Sequence, residues 1–420
     1  MADPPTVGAS HRFGLNRNVA VLMAVILVVG TGEDLWARFL PAYLEALGGG
    51  VWVVAAYGAV FTLLDAVYQY PGGWAADRLG RRRSLILFVP AAAAGYAFYL
   101  GPHWAWVIAG TFLVMAWNTL TLPSLFAAVG DNLPPEGRAA GFASQAIVRR
   151  IPTMIAPPLG GMMIAASGMV GGVRVGLAVT IGCCLLAVLI LTLLYREGPT
   201  REHAPTRLAG VWGAFDARLR RLLVADILAR WAEGIPRVFV VIYCVQYLGL
   251  SAVLFGWLMT VQRTTNLVAY LPAIGWGDRP NRKPFVLTTF AFFALFPLVL
   301  ANVAGFWGAA TAFMIAGLWE VGEPARKALI VDLAPEAVRG RAVGLYYLIR
   351  NLAVVPAALL GGLLWHVAGP EAMFYTAFAA GVCGFGYYAV WGSGDGPGSI
   401  EPVPPAAPRP ARSGPSDDGK

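Results

Sequence analysis

The chain reads as an all-α membrane protein, with twelve transmembrane helices arranged as two related six-helix halves. Three observations predict this. Of its 420 residues, 58% are hydrophobic and 13% charged, with a mean hydropathy of +0.63; soluble domains run at about 45–50% and about 25%. Apolar runs long enough to cross a bilayer recur along the whole sequence. Charged and punctuating residues also recur at a single offset of 201: Gly48 with Gly249, Pro71 with Pro272, Asp77-Arg78 with Asp278-Arg279, Pro123 with Pro324, Asp131 with Asp332, Pro134 with Pro335, and Arg138 with Arg339. Repetition of this kind predicts an internal duplication, with the substrate site between the halves near the membrane midplane.

The predicted spans run over 18–47, 51–76, 84–101, 104–130, 139–167 and 172–195, then 219–248, 252–277, 284–302, 305–333, 340–368 and 371–392. Several exceed the ~20 residues a bilayer requires, a surplus that tilt absorbs. Residues 17–195 and 219–392 are the two halves, joined by an Arg-rich linker at 196–218. The tails, 1–16 and 393–420, are rich in Pro, Gly and Ser and are expected to be disordered.

The formal charge is +8. In a soluble protein that excess would suggest nucleic acid; here the basic residues sit in loops and report topology. One set of loops carries Arg78, Arg81, Arg82 and Arg83, then Arg138, the linker, Arg279, Arg282 and Lys283, and Arg339 and Arg341. The alternate set, Gly48-Gly49-Gly50, Gly101-Pro102-His103, Leu248-Gly249-Leu250 and Val303-Ala304-Gly305, is nearly uncharged, with Arg174 its one basic residue. Excess Lys and Arg stays inside, which predicts a multi-pass protein of the cytoplasmic membrane with both termini cytoplasmic. The first apolar run contains Glu33, Asp34 and Arg38 and is read as a retained helix, not a cleaved signal. Cys183, Cys184, Cys244 and Cys383 lie within spans without metal-ligand spacing and read as packing residues.

Between the second and third spans lies Gly73-Trp74-Ala75-Ala76-Asp77-Arg78-Leu79-Gly80-Arg81-Arg82-Arg83. Small glycines let two helices approach, the acid caps or ion-pairs, and the arginines hold the turn in the cytoplasm. The run resembles the cytoplasmic loop signature of the major facilitator superfamily, G-x-x-x-D-R-x-G-R-R, and the likeness extends over about residues 17–392. The resemblance implies secondary transport by alternating access, with Gly73, Asp77, Arg78, Gly80, Arg81 and Arg82 as a gating loop. It further implies that helices 1, 4, 7 and 10 line the central path, with 2, 5, 8 and 11 at the seam between halves. The second-half copy, Gly275-Trp276-Gly277-Asp278-Arg279-Pro280-Asn281-Arg282-Lys283, is degraded. Ala156-Pro157-Pro158-Leu159-Gly160-Gly161 resembles the G-P-x-x-G-G element of the family's drug antiporters, with Ala for the first Gly; its prolines read equally as a kink. The arginine those antiporters carry in helix 4 is absent.

Charges inside spans need partners or a wet cavity, since each costs about 2.5–3.5 kcal/mol at mid-bilayer. Helix 1 holds Glu33, Asp34 and Arg38, the last two at i,i+4. Helix 2 holds Asp65, whose twin at the 201 offset is Asn266. Helix 7 places Asp226, Arg230, Glu233 and Arg237 on one stripe, the first two expected near the cytoplasmic end and solvated. Helix 10 carries Glu320, Glu323, Arg326 and Lys327 around Pro324, which frees backbone groups. Helices 5, 8 and 11 add Arg149 and Arg150, Gln262 and Arg263, and Arg350 and Asn351; helix 4 offers Asn118 with some Thr and Ser. Structural ion pairing explains any single one of these, but the whole set exceeds what packing requires.

Histidine is confined to tails and loops, so a carboxylate must carry any proton; Asp65, Glu33, Asp34 and Glu233 are the candidates, with Arg149 or Arg150 competing for Asp65. Substrate-path candidates are Arg38, Asn118, Arg149, Arg150, Arg237, Arg263, Asn266, Glu320, Glu323, Lys327 and Arg350. No P-loop, H-E-x-x-H or G-x-S-x-G is present, which excludes a primary pump and disfavours an embedded enzyme. The expected function is proton-coupled efflux of a small organic molecule by a monomer in the bilayer, without cofactor, metal or nucleic acid. Proton-coupled uptake of an anionic metabolite is the alternative; a membrane enzyme or a transport-dead sensor is remote.

Overall fold

The computed structural model describes residues 17–120, 135–195, 215–273, 281–335 and 339–393; within its helices the side chains of 69–70, 72–77, 81, 135–149, 270–273 and 339–341 lie outside the description. Helices make up nearly all of it. Helix α1 (Arg17–Asp34) and α2 (Leu40–Ala46) share the first predicted span, separated by a 3-10 turn at Ala37–Phe39. Helix α3 (Val51–Leu79) runs into α4 (Arg81–Tyr99), and α5 (Trp104–Met115) widens into a π segment at Ala116–Leu120. Helix α6 (Pro135–Leu194) contains the fifth and sixth predicted spans, which meet at Gly168.

The second half repeats the pattern. Helix α7 (Ala217–Gly234) and α8 (Val240–Ile242) share a span, and α8 passes into a π segment at Tyr243–Tyr247. Next come α9 (Ala252–Ala273), α10 (Lys283–Asn302), α11 (Gly305–Leu318) and α12 (Glu323–Leu333). Helix α13 (Arg339–Trp391) joins the last two predicted spans at Gly369. Five stretches of described helix are long and apolar enough to cross a membrane: Arg17–Ala46, Val51–Tyr68, Arg150–Leu194, Lys283–Asn302 and Ala342–Trp391.

The duplication is legible in backbone angles. Gly48 and Gly249 have φ +84° and +63°, and Gly168 and Gly369 have +77° and +85°. Each pair is 201 residues apart and adopts a conformation that glycine alone takes without strain. Gly80, at +83°, makes the abrupt turn from α3 to α4, which accounts for the second glycine of the Arg-rich loop. Near it Arg82 donates to the Thr192 carbonyl at 2.7 Å. The side chains of Asp77 and Arg81, and the surroundings of Gly73, lie outside the described residues, as do residues 1–16 and 394–420 of the tails and 196–214 of the linker.

Two seams join the halves: α3 packs along α13 and α9 along α6. Phe39 meets Phe255 edge-to-face at 5.4 Å across the halves. Gln246, itself 201 residues from Glu45, donates to it at 2.7 Å.

The spans predicted as continuous at 18–47, 219–248 and 305–333 are instead interrupted, at residues 35–39, 235–239 and 319–322. Proline explains where the helices break and restart. Pro41 and Pro324 sit in the first turns of α2 and α12, where a missing N–H is not needed. Pro236 lies inside the interruption at 235–239. The fourth path helix distorts at the equivalent place, through its π segment at Ala116–Leu120.

Candidate functional site

A cavity of about 650 Å³ opens between the halves at the level of these interruptions, within the range of small-molecule sites. Among the described residues its charged lining is asymmetric. Glu33, Asp34, Asp65 and Arg38 come from the N-terminal half; Arg230, Arg237, Arg263, Arg350 and Glu233 come from the C-terminal half. One wall is therefore predominantly acidic and the facing wall predominantly basic.

The acidic wall is served by the π segment of helix 4. Asn118 donates to Glu33 at 2.7 Å and Thr119 to Asp65 at 3.0 Å. A π segment turns adjacent side chains to different partners, and such segments are frequent at functional sites. Sequence alone does not single out Thr119, although it adjoins Asn118. Arg38 sits 4.0 Å from Asp34, the i,i+4 pairing expected.

On the basic wall Arg230 donates to Glu233 at 2.8 Å and lies 4.8 Å from the Phe293 ring centroid. Arg350 donates to the Asn351 side chain at 2.8 Å and stands over the Tyr347 ring at 4.7 Å. Arg237 reaches from the α7–α8 interruption over the ring of Phe61, in α3 of the other half, at 5.5 Å. Arg263 projects from α9 into the same space.

Behind the basic wall lies a buried charge network. Asp226 and Arg326 are both fully buried and bonded to each other. Tyr346 donates to Asp226 at 3.1 Å, and Arg350 approaches it to 3.5 Å. Arg326 also donates to Glu323 at 3.0 Å through Nε. The expectation that Asp226 and Arg230 are solvated near a helix end is therefore corrected. Instead Asp226 is sealed where α10, α12 and α13 pack against α7 around an apolar cluster that includes Leu219, Phe290, Leu329 and Tyr388, while Arg230 lines the cavity. The Asp226–Arg326 pair is not repeated in the sequence of the N-terminal half: at the 201 offset Asp226 corresponds to Val25 and Arg326 to Leu125.

Of the remaining candidates, Arg150, Asn266, Glu320, Glu323 and Lys327 are not among the residues that line the cavity. Arg150, from α6, donates to Glu320 at 3.1 Å across the two halves, so its described acid partner is Glu320 and not Asp65. Glu323 belongs to the buried network, and Lys327, 58% exposed at the side chain, lies 3.5 Å from it. Asn266 is buried, with an amide nitrogen lacking a partner. The Arg149 side chain is outside the described residues. No His, Cys, Asp and Glu grouping capable of holding a metal occurs among the described residues.

Two glycines have a role that only the packing reveals. A Cβ on Gly160 would fall 1.7 Å from the Leu35 carbonyl oxygen, and one on Gly361 would fall 2.2 Å from that of Ile235. These carbonyls belong to the interruptions of the first and seventh spans, and the glycines are 201 residues apart. The neighbouring Gly161 lies against the backbone of Ala252 and Val253 in the other half, so Ala156-Pro157-Pro158-Leu159-Gly160-Gly161 is a contact element between helices.

The family model described as Major Facilitator Superfamily matches residues 22–229 and 222–416. A chloramphenicol efflux pump of Mycobacterium tuberculosis is 25% identical, over 88% of this chain and 90% of that protein. The multidrug efflux pump Tap of Mycobacterium bovis is 26% identical, over 88% and 92%. Among solved structures, a crystal structure of the nucleoside transporter NupG has the same fold with a TM-score of 0.76 at 12% identity, over 90% of this chain and 100% of that one. With the duplicated backbone, the interrupted path helices and a cavity between two halves, these matches establish that the chain belongs to the Major Facilitator Superfamily of secondary transporters.

Proposed function

We propose that the protein exports a small amphipathic organic molecule across the cytoplasmic membrane, in exchange for protons, as a monomer with both termini cytoplasmic. The observation that carries this reading is the cavity itself. It lies between the halves, is lined by both, and combines charged groups with the aromatic side chains Trp117, Phe255 and Trp319. A rocking motion of one half against the other exposes such a site alternately to either side. The curated relatives that span most of the chain are efflux pumps, which supports the outward direction.

Asp65 supports the coupling reading. It lines the cavity and accepts a hydrogen bond from the neutral Thr119 hydroxyl, which is compatible with either protonation state. Its twin Asn266 is buried and titrates nothing. The two halves therefore differ in a titratable group at one equivalent position. Proton occupancy there shifts the balance between states by its differential affinity for each.

Inverted vesicles with an imposed proton gradient provide the test. Gradient-dependent accumulation of a chloramphenicol-like or other amphipathic solute, abolished by a protonophore, is expected. Accumulation in right-side-out vesicles instead would replace export by uptake, and flux indifferent to the gradient would remove proton coupling.

A further inference from the structure

We infer that Arg237 and Arg263 form a subsite for the anionic group of the substrate, so that the transported molecule is an organic anion with an aromatic or otherwise apolar body. This rests on the reading of the cavity as the transport site and adds a substrate class to it.

The inference comes from which charges in the cavity are already engaged. On the acidic wall Glu33 holds Asn118, Asp65 holds Thr119, and Asp34 faces Arg38. On the basic wall Arg230 is committed to Glu233, and Arg350 to Asn351 and, more distantly, Asp226. Arg237 and Arg263 have no hydrogen bond or ion pair among the described residues; both line the cavity, Arg237 is exposed, and no nitrogen of Arg263 is buried without a partner. A guanidinium cannot shed its charge in a protein and presents five N–H donors in a fixed plane. Two such groups within a membrane, with donors unspent, are costly unless water or a ligand serves them.

Their setting also shapes the ligand. Arg237 lies over the Phe61 ring; stacking occupies a face of the guanidinium and leaves the in-plane donors free. A planar carboxylate accepts two such donors side by side. Phe61 belongs to one half and Arg237 to the other, so an anion drawn to Arg237 arrives at the contact between halves. Phe255, Phe296 and Phe313 line the same cavity and provide apolar surface for the remainder of the molecule.

Calorimetric titration of the purified full chain in nanodiscs, with three probes of nearly equal shape, tests this: 1-naphthoate, the neutral 1-naphthamide and the cationic 1-naphthylmethylamine. The expected order is naphthoate at least about tenfold tighter than the amide, as for hydrogen bonds to a charged group, with the amine weakest. Arg237→Gln and Arg263→Gln should each collapse the naphthoate preference, while Arg237→Lys and Arg263→Lys retain part of it. Monodisperse elution of each variant guards against misfolding, and the wild-type order stands as a test by itself. Equal binding of the three probes, preference for the amine, no binding of any probe, or an anion preference that survives both Gln changes would overturn the subsite. If naphthoate binds in an arginine-dependent way but no solute is driven by a proton gradient in inverted vesicles, the subsite stands and the export reading fails. If naphthamide is pumped without any naphthoate preference, export stands and the subsite fails.

Discussion

Asp226 shows how far one side chain's role depends on its surroundings. It is fully buried beside an equally buried Arg326, with Tyr346 donating to it and Arg350 nearby. Removing one partner of such a pair leaves a charge without compensation, which costs about 3–5 kcal/mol, whereas replacing both with apolar groups is often neutral. Asp226→Asn should therefore lower the melting temperature of the purified protein sharply. The double change Asp226→Leu with Arg326→Met should recover much of the loss; a double variant as unstable as the single one would assign the cost to the partners left behind, Glu323, Arg350 and Tyr346. Asp65 is the contrasting case. It is half-buried, lines the cavity and is held by a neutral hydroxyl, so Asp65→Asn should fold normally. We expect that variant to bind substrate but lose gradient-driven accumulation in inverted vesicles. Full accumulation would move the coupling role to Glu33, Asp34 or Glu233.

At the scale of helices, the interruptions of the path helices govern the site. Where a helix stops within the membrane its last carbonyls need neighbours, since each unsatisfied polar group is costly there. The Leu35 and Ile235 carbonyls lie at two of these stops, and Gly160 and Gly361 allow α6 and α13 to press directly against them. An added methyl would meet backbone oxygen at both positions, and such overpacking costs typically about 1–3 kcal/mol. Gly160→Ala and Gly361→Ala should each depress thermal stability and slow transport. Gly386→Ala, where a Cβ would meet nothing within 4 Å, should be silent and acts as the control. Equal behaviour of all three would mean that the interrupted helices shift freely and that the glycines do not fix them.

For the whole molecule, the loop charges predict orientation, and the structure indicates where to probe it. Gly50 has open space around its Cα, whereas a Cβ on Gly49 would fall 2.7 Å from the Leu44 carbonyl oxygen. Ser251 and Arg83 are exposed, but Ser84 is fully buried. In a background with the four native cysteines replaced, Gly50→Cys and Ser251→Cys should react with an impermeant maleimide on intact cells. Arg83→Cys should react only after permeabilisation. The reverse pattern would invert the topology. The contacts Glu45–Gln246 and Arg150–Glu320 both cross between the halves. Rocking of one half against the other is expected to separate at least one of these pairs, which distance measurements between labels at these positions would follow.

The sequence by itself determined the class and the duplication, and it pointed to many of the charged residues that line the cavity. Hydropathy separates membrane from soluble chains because a bilayer tolerates few charges. The 201-residue offset survives in glycines and prolines because backbone turns admit few other residues. Glu33, Asp34, Asp65, Arg237 and Arg263 were visible because charge within a span is rare and costly. Tertiary structure decided which charges meet. Asp226 and Glu233 lie on one stripe of α7, yet the first is sealed beneath α12 and α13 while the second faces the cavity. Nothing in a single helix's periodicity distinguishes them, because burial depends on what a second and third helix place over that stripe. The same limit hid Thr119, whose hydroxyl reaches Asp65 through a local π turn, and Gly160 and Gly361, whose missing side chains matter only where another helix ends. Spacing along the chain fixes the faces of each helix; only packing between helices decides which faces meet each other and which remain open to a ligand.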